Sequence, residues 1–215
     1  MDLRRVPAAV KAAAVVVVLL LGAAIGVLLQ SSVSAPDAVA EPGGIEVGFA
    51  QDMTVHHRQA VTMGSWARDR TTDGAVRQLA FDVERGQTEQ IGRMQGWLAA
   101  WDRPSQPAGR YMTWMPDDGH NHGGAAGFDG VATMPGMATE QELARLRSLS
   151  GREMDVYFLQ LMRRHHQGGL PMAQYAFDRT GVPAVRALAR SIVASQTDEV
   201  GVIEHMLFLR GAKAW

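Results

Sequence analysis

The sequence predicts an all-α protein: a four-helix bundle made of two copies of one helical hairpin, with an N-terminal transmembrane helix ahead of it. Three observations carry that prediction. The chain repeats itself at an offset of 109 residues, with 18 identities in the 49 positions from Phe49 to Trp97, more than chance allows. Apolar residues within each copy recur at helical spacing. An uninterrupted apolar run of 18 residues, Ala12 to Leu29, follows Arg4, Arg5 and Lys11.

Residues 1–11 form a basic flank that the positive-inside rule keeps in the cytoplasm. The run 12–29 spans about 27 Å as a helix, close to a hydrocarbon core and longer than a usual signal-peptide apolar region. It reads as a single-pass anchor that leaves the rest of the chain outside the cell membrane. Ala38-Val39-Ala40 also fits a signal-peptidase site, and cleavage there gives a secreted form. Residues 30–44, rich in Ser, Ala, Pro and Gly, are a linker.

The first hairpin covers 45–102. Phe49, Met53, His56, His57, Ala60 and Met63 fall within an arc of about 120° on one helix face. Thr71-Thr72-Asp73-Gly74 breaks the chain, with Asp73 as N-cap of the next helix. That helix presents Val76, Ala80, Val83, Ile91, Met94 and Leu98 on one face. Residues 103–138 are a Met- and His-containing connector, expected to be mostly irregular. Thr139-x-x-Glu142 opens a short helix through Leu149. Within 139–215 the second hairpin starts at Ser150-Gly-Arg-Glu153, a capping-box pattern, turns at Gly181-Val-Pro183 and runs to about Leu209. One hairpin cannot bury its apolar face alone, so the two copies pack together.

Net charge is −1 and no basic stripe appears, which excludes a nucleic-acid footprint. There are no cysteines, so disulfides, thiolate metal sites and cysteine nucleophiles are excluded. Soft and borderline ligands come from twelve methionines and seven histidines. Met53, His56, His57 and Met63 on one helix match Met162, His165, His166 and Met172 on its copy. Imidazole suits copper, zinc, iron and nickel, whereas thioether selects Cu(I). The set therefore points to copper, ahead of zinc or iron. Gln87, Gln90, Gln196 and Glu199 sit on the partner helices, where buried amides and carboxylates need hydrogen-bond partners. The imidazole N–H groups are the expected ones. His205, with Gly96 at its place in copy one, is a weaker candidate. In the connector, Met112, Met115, His120, His122, Met134 and Met137 form a second candidate set, which either wraps an ion or packs on the bundle.

The residues Met53-x-x-His56-His57 with Met63, Met134-Pro-Gly-Met137, and Met162-x-x-His165-His166-Gln167-Gly168 with Met172 resemble the domain of unknown function 305 family over roughly Ile45 to Leu209. The resemblance implies a ferritin-like four-helix bundle, often exported, with some members linked to copper, and it carries the histidine pairs and their methionines over as site residues. Two positions depart from it. Pro171 stands inside a helix where copy one has Thr62, and should kink that helix beyond the histidines. Gln90 replaces an acidic residue that the second copy keeps as Glu199.

The expected function is capture, buffering or delivery of copper outside the cytoplasm, without catalysis. The first alternative is a ferritin-like oxidase, but neither histidine pair has the Glu-x-x-His spacing that a dinuclear iron centre uses. The second is a metal-free module that docks on an envelope protein. It calls for an exposed apolar patch, and the outer faces carry Arg68, Asp69, Arg77, Arg152, Arg163, Arg164 and Arg190 instead.

Overall fold

A computed structural model describes residues 41–115 and 129–215. The anchor at 12–29, its flank and most of the linker lie outside the described residues, as do His120 and His122. Among the described residues no helix is long and apolar enough to cross a membrane.

The described part is all-helical, with no strand and one isolated bridge between Tyr111 and Val131. Its helices are α1 (Gly44–Arg70), α2 (Gly74–Ala100), the short α3 (Glu140–Ser148), α4 (Gly151–Arg179) and α5 (Pro183–Leu209). Asp73 caps α2, its carboxylate accepting from the amides of Ala75 and Val76. Thr139 and Glu142 close a reciprocal capping box on α3. Pro183 opens α5 at its first turn. One local expectation is revised. Ser150 is the N-cap of α4 but makes no side-chain cap hydrogen bond, and Gly151 takes a positive φ of 56° instead. The helix α4 contains Pro171 and runs to Arg179.

The hairpins α1–α2 and α4–α5 meet through α1 and α4. Met53 shares a core cluster with Met172, and Met63 shares another with Met162, so α1 and α4 run antiparallel. One cluster also holds Val76, Val83, Phe158 and Ile203; the other holds Phe49, Leu98, Val185 and Ile192. The duplication persists in the hydrogen bonds. Gln51 donates to the Pro104 carbonyl at 2.8 Å, and Gln160, 109 residues on, donates to the Lys213 carbonyl at 2.7 Å. Arg77 reaches the Thr71 carbonyl as Arg186 reaches that of Thr180.

The connector is held on the bundle by polar clamps. Asp52, buried in α1, accepts from the Met112 amide at 2.6 Å and the Trp114 indole at 2.8 Å with the same oxygen. Burial pushes its carboxyl up, against the pull of those two donors. Gln59 exchanges two hydrogen bonds with the backbone of Ala138. Arg164 forks onto both oxygens of Glu142, at 2.7 Å each.

Candidate metal centre

Helical spacing places the four histidines in one layer between the two apolar clusters, and all four are fully buried. The antiparallel packing of the repeats brings the equivalent residues His56 and His165 face to face on the local symmetry axis. Their ring centroids are 3.8 Å apart and their planes cross at 37°. His57 and His166 turn the other way, each toward the second helix of its own hairpin. The His57 Nε2 lies 2.6 Å from Gln90 Oε1, and the His166 Nε2 contacts Glu199 Oε2.

These contacts define the tautomers. The Pro135 carbonyl lies 3.1 Å from His56 Nε2 and can only accept, so Nε2 carries the proton. The amide oxygen of Gln90 and the carboxylate of Glu199 impose the same on His57 and His166. In His56 and His57 Nδ1 is then left with its lone pair. The Nδ1 atoms of His56, His57 and His166, and both nitrogens of His165, are buried with no hydrogen-bond partner. Leaving such atoms unpaired costs about 1–3 kcal/mol each, so their clustering requires an explanation.

Desolvation sets the charge. Burial, partly offset by the Pro135 carbonyl, pushes His56 down to about 4. Burial and the neighbouring His56 push His57 down to about 3. His165 is held well below the ordinary imidazole range by burial and by the three other rings. These three rings are therefore neutral at physiological pH, the state in which imidazole ligates metal.

The thioethers bracket this layer. Met53 and Met162 each precede the axial histidine of their helix by three residues, about 4.5 Å of rise on the same face. Met63 and Met172 lie seven residues beyond, and all four are fully buried. Among the described residues no three His, Asp or Glu side chains group to hold an ion. The candidate donors are the two imidazoles of His56 and His165 and the methionines offset from them along the helices, residue types that suit a soft ion better than a hard one.

The remaining candidates divide. Gln90 and Glu199 meet imidazoles, whereas Gln87 and Gln196 are buried with every side-chain nitrogen and oxygen unpartnered. Met112 and Met134 are buried in the cluster of Met53 and Met172, with Met115 and Met137 packed against it. His205 is exposed on α5. Sequence reasoning missed two glycines. Gly169 faces the Gln196 amide oxygen and the edge of His56; a Cβ there would sit 2.9 and 3.1 Å from them. Gly168 admits the backbone of Pro135 and Gly136 over the histidine layer. Their sequence signals were a Gly-Gly pair inside a helical pattern and, for Gly168, its place after His166-Gln167 in the run that carries the resemblance.

The family described as domain of unknown function (DUF305) matches residues 46–207. The chain belongs to the DUF305 family. A DUF305 protein of Streptomyces coelicolor, described as a candidate secreted protein, has 42% identity and a TM-score of 0.70, covering 80% of this chain and 96% of that one. A DUF305 fragment from Deinococcus radiodurans has 34% identity and a TM-score of 0.60, covering 76% and 95%. The protein CopM in its Cu(II)-bound form has 26% identity and a TM-score of 0.58, covering 75% and 94%. Its Cu(I)-bound form, at 21% identity and a TM-score of 0.56, shares the DUF305 fold. None of the curated proteins matches the chain.

Proposed function

We propose that this DUF305 chain is an extracytoplasmic copper-binding protein that captures, buffers or delivers Cu(I). The observation that carries the reading is the His56–His165 pair: two buried imidazoles 3.8 Å apart at the meeting point of two helices, with unpartnered His56 Nδ1 and both His165 nitrogens, and with buried Met53, Met63, Met162 and Met172 along the same helices. His56 and His165 supply nitrogen, and the methionines supply the sulfur that favours copper over zinc or iron. Gln90 and Glu199 orient the flanking rings of His57 and His166. Two solved relatives lend support: CopM has been captured with copper bound, and the Streptomyces protein is described as a candidate secreted one. The apolar run at 12–29 supplies either an anchor or a cleaved leader for such a location.

The test is a competition titration of the full-length chain with Cu(I) and with Zn(II), beside a variant carrying Ala at His56, His57, His165 and His166. Tight Cu(I) binding by the parent, weaker Zn(II) binding, and a loss of at least about 100-fold in Cu(I) affinity in the variant are expected. Equal Cu(I) affinity in the two proteins removes the bundle site. A second variant with Met112, Met115, His120, His122, Met134 and Met137 changed separates the connector's share.

A further inference from the structure

A buried site needs a way in. The histidine layer is closed toward both ends of the bundle by apolar clusters, one containing Phe158 and Ile203, the other Phe49 and Ile192. On the α1–α4 side the connector lies across it, with the Pro135 carbonyl on His56 and the Gly136 backbone against Arg164, His165 and Gly168. The remaining side is the face between α2 and α5, whose backbones make no approach comparable to the three other helix pairings.

That face holds a cavity of about 60 Å³ lined by Val83, Gly86, Gln87, Gln90, Ser195, Gln196 and Glu199. The lining obeys the repeat: Gly86 matches Ser195, Gln87 matches Gln196, and Gln90 matches Glu199. The two small residues leave the gap. The polar ones are graded from inside to outside. Gln87 and Gln196 are 4% and 2% exposed, with unpartnered amides, and the Glu199 side chain is 26% exposed. Gln90 and Glu199 also touch the histidine layer, through His57 and His166.

We propose that this cavity is the access route by which the ion reaches and leaves the histidines. The inference rests on the copper reading above and names its path. Glu199 attracts the cation at the mouth, and the unpartnered amides of Gln87 and Gln196 line the passage beneath it. The cavity volume suits one or two water-sized bodies, consistent with a step-wise transfer.

The experiment is to plug the cavity without touching the ligands. A Gly86→Leu/Ser195→Leu variant of the full-length chain fills both symmetry-related gaps, and no heavy atom lies within 4 Å of the Cβ that Gly86 would gain. Cu(I) uptake from a coloured chelator complex is followed by stopped flow, and affinity is measured at equilibrium. Uptake at least about tenfold slower, with an affinity within about twofold of the parent, is expected. A smaller plug, Gly86→Ala/Ser195→Val, should slow uptake in the same direction and serves if the Leu variant misfolds. Unchanged kinetics in a plugged, folded chain that still binds Cu(I) would overturn the route alone. Faster uptake in Gly168→Ala, which lifts the connector, would place the route on the opposite face. Failure of the parent to bind Cu(I) would remove the copper reading, and the route with it.

Discussion

Gly169 shows how one missing methyl group shapes the site. Copy one has Ala60 at the same place, and there the helix faces the apolar core. In copy two the space goes to the His56 edge and the Gln196 amide. Gly169→Ala should favour the α4 helix by up to about 1 kcal/mol. It also forces the Gln196 oxygen and the His56 ring to give by a few tenths of an ångström. The variant is therefore expected to melt at or above the parent temperature while binding Cu(I) about tenfold more weakly. Thermal melts and a Cu(I) titration check both halves. A stable variant with unchanged affinity would show that His56 has freedom to move and is not held for ligation.

The elements divide according to the repeat. Positions identical in the two copies make up the proposed site: Met53 and Met162, the four histidines, Met63 and Met172, Gln87 and Gln196. Their common burial was legible, because a period in the sequence becomes a symmetry in space and turns matched side chains inward. Positions that differ hold the connector, and these were not legible. Asp52 matches Leu161, and Gln59 matches Gly168. In the sequence Asp52 reads as an ordinary polar helix residue; its partners Met112 and Trp114 lie 60 and 62 residues away. Nor does spacing reveal that Gly168 is a seat for Pro135 and Gly136. A Cβ at Gly168 would overlap the Pro135 carbonyl, which is backbone and cannot swing aside. Gly168→Ala should thus lift the segment 134–138 from the bundle and cost about 1–3 kcal/mol. Limited proteolysis is the direct measurement, with cleavage in the connector expected to accelerate while α1, α2, α4 and α5 stay protected. An unchanged digestion pattern would mean that the strap has slack.

For the whole molecule, the buried imidazoles tie stability to pH, and the sign follows from their depressed values. In the unfolded chain His56 and His57 take up protons at the ordinary value of about 6.5, but in the fold only at about 4 and about 3. Between these limits the unfolded state holds more protons, so stability rises with pH. Above about 6.5 both states are neutral and the effect is flat. At pH 5.5 the two rings together should cost the fold about 3 kcal/mol, a sizeable part of the 5–15 kcal/mol that holds a typical domain. Glu142 acts in a lower window. The hydrogen bonds from Arg164 hold its carboxyl down to about 2, so its contribution is lost only as pH falls below about 4.5. The metal-free chain should therefore begin to lose melting temperature just below pH 6.5, well before its paired carboxylates titrate. Cu(I) on the imidazole nitrogens competes with protons for the same lone pairs, so loading should move the onset of acid loss to lower pH. Circular dichroism melts from pH 7.5 to 4, with and without Cu(I), separate the two effects. A melting temperature that stays level from pH 7 to 5 without metal would mean that these rings reach water in solution. The dry layer on which the copper reading stands would then be absent.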